Sequence, residues 1–340
     1  MQRFGLCTAA VSILFAAAMT TAAHAGTVPA DLRVVTDTNR VLADVRQYTD
    51  TTAVPTSPQA KCFFGGVGGS GRPVTVAGAT ALGVVADAAQ SLGSLSPILV
   101  TDEYSFGLGV CGFGGVSSGP ANFWQVRVDH KATQVGGDQV ALSRGDDVVW
   151  ALVPSPVCDF NPPYTCKPTE PELVIEAPAR ARPGVPFTAT VFEYNDTGFN
   201  KPALGASVNG ALAPTDAQGH TQVTLARTGA VTASRVGAIP SRSLRVCVSA
   251  RPKRCAAKRG RQILGSQLAD RIGGTLGNDT IEANGGDDAI SVRGRGRDSV
   301  RCGPGKDTVT ADGTDRVNKA SCEKIERSAG GAKSKRNAKK

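Results

Sequence analysis

Histidine, methionine and aromatic residues are scarce. The 340-residue chain holds three His, two Met and only 5% Phe, Trp and Tyr. One histidine, His24, falls in a segment that reads as a removable leader, so a multi-His metal catalyst is excluded. The chain has no G-x-S-x-G or H-E-x-x-H motif, and His130 and His220 lie far apart, which argues against a His-based hydrolase. No apolar run reaches the roughly 20 residues that a spanning helix needs. An excess of either charge is missing from the first two thirds, where 17 basic face 18 acidic groups. Residues 246–340 hold 21 basic against 11 acidic groups, which accounts for the net charge of +9. What is plentiful is glycine (40) and proline (20), a mix that favours short strands and turns over helix bundles.

Residues 1–25 carry Arg3, an uncharged apolar run from Leu6 to Met19 and the small-x-small site Ala23-His24-Ala25, the pattern of a secretory signal peptide. The expected location is therefore secreted, with attachment to a cell surface left open. Removing Cys7 with the leader leaves eight cysteines, an even number that implies disulfides in an exported chain. Clustering favours Cys62–Cys111, Cys158–Cys166, Cys247–Cys255 and Cys302–Cys322. A zinc site lacks paired C-x-x-C spacing.

Composition divides the remainder. Residues 26–153 alternate strand signals (31–36, 41–48, 73–77, 97–101, 106–111, 122–128, 147–153) with one helical pattern from Thr80 to Leu92. Thr80 is expected as N-cap and Gly93 as C-cap. A Pro-rich, disulfide-closed linker follows over 154–170, then a strand-rich domain over 171–248. Next come a basic linker over 249–261, a repeat region over 262–327 and a basic tail over 328–340, expected to be disordered. The fold class expected is mainly β: a small α+β domain, a β-sandwich and a repeat region, which resemblances to known families make β-grasp-like, Ig-like and a parallel β-roll.

Gly66-Val-Gly-Gly-Ser-Gly71 fits G-x-G-x-x-G, but a strand follows it where a helix is required, so it reads as a loop. Asp146-Asp147 reads as a turn before a strand. Trp124 and Trp150 read as core.

The strongest signal is periodic. Asp-x-[Ile/Val] recurs at Asp270, Asp279, Asp288, Asp298, Asp307 and Asp315, at spacings of 9, 9, 10, 9 and 8 residues, most copies preceded by a Gly-rich turn. Glycine permits tight turns that aim carbonyls at an ion, and Asp supplies a hard anionic oxygen suited to calcium. The Ile or Val two positions later would pack inward.

Three resemblances follow from these residues. The repeats resemble the nonapeptide calcium-binding repeats of RTX (haemolysin-type) proteins. That resemblance implies a roll with two nonapeptides per coil and calcium held by Asp270, Asp279, Asp288, Asp298 and Asp307. It pairs Asp279 with Asp298, Asp288 with Asp307, and Asp270 with Asp288, with Asn278 and Asp287 beside them. Arg297 and Lys306 stand where the family has Asn or Asp, and Arg293, Arg295 and Arg301 crowd the same turns. The alternative is a degenerate solenoid held by Cys302–Cys322 instead of calcium. Asn122-Phe-Trp-Gln-Val-Arg-Val and Gly145-Asp-Asp-Val-Val-Trp-Ala-Leu resemble a bacterial domain of unknown function that is similar to the C-terminal domain of transcobalamin. This implies a β-grasp-like fold and opens an alternative role as carrier of a cobalamin-like small molecule. Thr215-Asp-Ala-Gln-Gly-His-Thr-Gln-Val-Thr-Leu225 resembles bacterial Ig-like domains, which are mostly spacers.

The expected function is non-enzymatic binding or adhesion outside the cell, with calcium ordering the C-terminal module. Expected partners are an extracellular or cell-wall ligand and anionic surfaces met by the basic tail, with no nucleic acid and a monomeric chain.

Overall fold

The computed structural model describes residues 27–327, except 63–65, 67, 106, 156–157, 160–164, 167–168, 252–259, 276 and 295. The expected leader, the basic tail, Cys255 and much of both linkers therefore lie outside the described residues. The protein is mainly β, with one helix among the described residues.

The first domain begins with an antiparallel pair, Val28–Val35 and Val41–Thr49. Alternation puts Ala30, Leu32 and Val34 into the core. The helix Ala81–Ser91 packs its Leu82, Val85 and Ala86 onto the same core. The Thr80 hydroxyl accepts from the Gly83 amide at 3.0 Å, as its sequence position predicts. At the other end, Leu92 takes the cap position in an extended conformation, its N–H bonded to the Ala88 carbonyl, so Gly93 is not the cap. The expected strand over 106–111 starts later, at Gly109, because Gly107 adopts φ 132° and breaks the extended backbone. Asp147–Pro154 runs parallel to the first strand and antiparallel to Asn122–Val128. The strand order is second, first, last, third, which is a β-grasp arrangement. Phe113 lies edge-on between Trp124 and Trp150, at 4.8 and 5.5 Å. The Trp150 indole donates to the Ala81 carbonyl, so both tryptophans are core residues as expected.

The second domain is a sandwich. Phe187–Tyr194 pairs with Glu172–Glu176, Asn200–Pro202 and His220–Val223, while Leu244–Val248 pairs with Arg180–Ala181 and Gly229–Val231. Leu173, Val191, Val223, Val231 and Val246 fill the space between the sheets.

The two domains meet through buried charge. The Arg33 guanidinium pairs with Glu172 and donates to the Pro240 carbonyl; Glu172 is fully buried. Arg127 joins the Asp196 carboxylate at 2.7 Å and the Glu170 carbonyl at 2.7 Å.

The third domain is a roll of two parallel sheets. One contains Gln262–Leu264, Thr280–Glu282, Ser299–Arg301 and Arg316–Val317; the other contains Arg271–Gly273, Ala289–Ser291, Thr308–Ala311 and Lys324–Arg327. In register, Ile263, Ile281, Val300 and Val317 stack on one side, and Ile272, Ile290, Val309 and Ile325 on the other. The apolar residue of each repeat thus fills the interior.

The roll also continues the first domain. Gln262–Leu264 pairs in parallel with Val41–Thr49, making one nine-stranded sheet through both domains. The Gln47 side chain donates to the Gly265 carbonyl at 2.8 Å, and the Gly273 amide donates to the Tyr48 hydroxyl at 3.2 Å. A naked edge at this end of the roll is thereby covered.

Cys62 is bonded to Cys111 and Cys302 to Cys322, as clustering predicts. Cys158 and Cys166 are backbone register partners in a short antiparallel ladder.

Candidate functional site

Each repeat aspartate sits at the start of a strand, buried and aimed at the neighbouring coil. From Asp279 onward its carboxylate caps a backbone N–H that the parallel ladder leaves over, one coil earlier. Along one edge of the roll, the Asp270 amide donates to Asp288 Oδ1 at 2.8 Å and the Asp288 amide to Asp307 Oδ1 at 2.9 Å. The Asp307 amide then donates to Glu323 Oε2 at 2.8 Å. Along the other edge, the Arg261 amide donates to Asp279 Oδ1 at 2.7 Å, Asp279 to Asp298 at 2.8 Å, and Asp298 to Asp315 at 3.0 Å. All three pairs expected from the repeat period are neighbours on adjacent coils.

Sequence reasoning left Asp315 and Glu323 out of the site. Asp315 was visible in the repeat. Glu323 was not, because a glutamate stands in the aspartate position; Glu323-Lys-Ile325 preserves the x-Ile spacing that could have found it.

The two edges differ in their second carboxylate oxygens. On the Asp279 edge those of Asp279 and Asp315 are engaged. Asp279 Oδ2 accepts the Thr275 amide, the Thr275 hydroxyl reaches Oδ1 at 2.8 Å, and Asp315 Oδ2 accepts the Asp312 amide at 2.9 Å. On the Asp288 edge, Asp270 Oδ2 accepts the Ser266 amide, but Asp288 Oδ2 and Asp307 Oδ2 are buried and have no hydrogen-bond partner among the described residues. A buried acceptor left unmade costs about 1–3 kcal/mol.

Titration reflects this. Burial, reinforced by the charges of Asp270, Asp307 and Asp287, pushes the Asp288 carboxyl up to about 8, against the Asp270 amide bond that lowers it. Burial also raises Asp307 and Asp270. On the opposite edge burial, with Asp279, Asp315 and Asp312 nearby, raises Asp298 to about 6.

The turns pack closely on both edges, and a Cβ on Gly296 would lie 2.3 Å from the Gly277 carbonyl oxygen beside Asp298. A Cβ on Gly303 would lie 1.7 Å from the Asn284 carbonyl oxygen, and one on Gly305 would lie 2.0 Å from that of Gly286. Both glycines hold positive φ, 120° and 152°. Carbonyl oxygens of one turn therefore press against the glycines of the next, beside Asp288 and Asp307. Asp287 accepts the Lys306 amide at 2.8 Å, and Asn278 accepts the Arg297 amide at 3.0 Å, so both turn residues bind backbone. The side chains of Lys306 and Arg297 are exposed.

Among the described residues, no three His, Cys, Asp or Glu side chains gather around one point. An ion on the Asp288 edge would therefore draw on two carboxylates and the turn carbonyls. The donor set is all oxygen, which suits a hard cation.

The remaining polar candidates have structural partners. Asp146 accepts the Ser143 amide at 2.8 Å and closes its turn, as expected. His130 Nδ1 lies 3.2 Å from Glu172 Oε2, and its ring stacks on Tyr194 at 4.3 Å. Burial works against the charged imidazole, but Glu172 and Asp147 outweigh it and raise the pKa of His130. No protein-family model, curated protein or solved structure matches this chain.

Proposed function

We propose that the chain is a secreted, non-enzymatic binding protein whose C-terminal roll takes up calcium along the Asp270–Asp288–Asp307 edge. The observation that carries this reading is the pair of buried, unpartnered oxygens on Asp288 and Asp307, one coil apart beside glycine-turn carbonyls. A bound divalent cation would supply positive charge to carboxylates that burial otherwise pushes toward the neutral form. The chain's own groups do the rest. Asp288 and Asp307 present one oxygen outward from the ladder, the Gly-rich turns bring carbonyls close, and the backbone amides fix the other carboxylate oxygen.

The test is thermal denaturation of the full mature chain in millimolar calcium and in chelator, together with metal analysis of the secreted protein. Affinity is expected near 10⁻⁴–10⁻³ M, on the order seen for extracellular modules. A higher midpoint in calcium that disappears in Asp288→Asn supports the reading. An unchanged midpoint and no bound metal would remove calcium from it.

A further inference from the structure

We infer that the cleft where the three domains meet binds a small ligand bearing a phosphate or diphosphate group. This inference does not depend on calcium, because the cleft opens beside the Asp279 edge.

The cleft encloses about 690 Å³, within the roughly 300–1,000 Å³ of small-molecule sites. Five arginines line it, and each domain contributes. Arg46 comes from the first domain, Arg242 and Arg245 from the sandwich, Arg261 from the start of the roll and Arg293 from a roll turn. Three of them are held by acids. Asp31 takes Arg46 at 2.8 Å and also pairs with Arg261. Arg242 bridges Asp44 at 3.2 Å and Asp147 at 2.9 Å. Burial disfavours the Asp31 anion, yet its two arginines outweigh this and hold its carboxyl below the usual range. These pairs lock the walls together.

Arg245 and Arg293 are different. Both are exposed, and neither forms an ion pair with a described residue. They reach the cleft from separate domains, so one anion that satisfied both would bridge sandwich and roll. One carboxylate can meet two guanidiniums, as Asp31 does, but its single charge balances only one of them. A phosphate or diphosphate offers more oxygens and about two charges or more, enough for two forks. Leu244 and Ala179 in the same walls give an organic body apolar surface to cover. The arrangement also gives a role to Arg293, one of the arginines that the repeat chemistry alone leaves without a purpose.

The experiment is calorimetric titration of the full chain with inorganic pyrophosphate and with a nucleoside diphosphate. The buffer is calcium-free, and sodium sulfate at matched ionic strength is the control. Saturable binding of either probe, weakened at least about 10-fold in Arg245→Gln/Arg293→Gln and unchanged in Arg227→Gln outside the cleft, is the expected result. Equal affinity for the two probes would place recognition on the diphosphate alone; tighter binding of the nucleotide would add its organic body. Heat no greater than that with sulfate, or binding unaffected by the double substitution, would overturn the inference. The double variant's own thermal midpoint, expected to match the parent because both side chains are exposed, separates lost binding from lost folding.

Discussion

The two edges of the roll share backbone geometry and differ in chemistry. On the Asp279 edge, both carboxylate oxygens of Asp279 are taken by backbone and hydroxyl donors, and the turn residues Arg293 and Arg297 carry positive charge outward. On the Asp288 edge, two carboxylates each keep a buried oxygen unused, and the turns carry Asn284 and Asp287 in place of arginine. A repeat motif is therefore two devices at once. Its first carboxylate oxygen splices coil to coil, and its second is left for whatever the turn provides. The first role explains why the period persists through turns whose charge is wrong for a cation.

The sharpest way to break this comparison is Asp279→Ala. It strands the Arg261 and Thr275 amides and should cost about 3–5 kcal/mol, equally in calcium and in chelator, as read by denaturant melts. A loss that calcium reverses would mean the second edge also holds an ion. Next in size is Asp288→Asn. It keeps an oxygen for the Asp270 amide, so calcium-free stability should change by less than about 1 kcal/mol while the calcium-dependent rise in midpoint vanishes.

A smaller effect separates the roll from the joint between the first two domains. There, His130 faces Glu172, Asp147, Arg33 and Tyr194, and its pKa is raised in the fold. A folded-state pKa above the unfolded value near 6.5 means that the contribution is complete below that pH and fades as pH rises through the folded pKa. Melting in chelator should show a shallow decline above neutral pH that is absent in His130→Gln. The smallest effect is expected from Lys306→Gln. Its exposed ammonium is largely screened, so calcium affinity should rise only a few-fold in a titration at low salt.

Much of the fold was legible because it is local. Thr80 marks the helix start through a hydroxyl three residues from the amide it caps, and Ile or Val two residues after each Asp places the interior of the roll. The helix end was misread because glycine is only a preference at that position, and Leu92 ends the helix in extended backbone without it. Within the candidate site, the ladder of aspartates followed from the period. The difference between its edges did not, since hydrogen-bond satisfaction depends on which donors the turns bring within 3 Å.

The sequence by itself determined the mainly β character and the stacking period, because each is written in the spacing of neighbouring residues, and the order of its cysteines favoured the Cys62–Cys111 and Cys302–Cys322 disulfides. Only the tertiary structure decided that Gln262–Leu264 extends the sheet of the first domain, that Arg33 meets Glu172 across 139 positions, and that five arginines from three domains share one cleft. Those outcomes depend on which edges and charges remain unsatisfied once each domain has folded. Burial penalises every unpaired group wherever it lies in the chain, so distant residues settle them together.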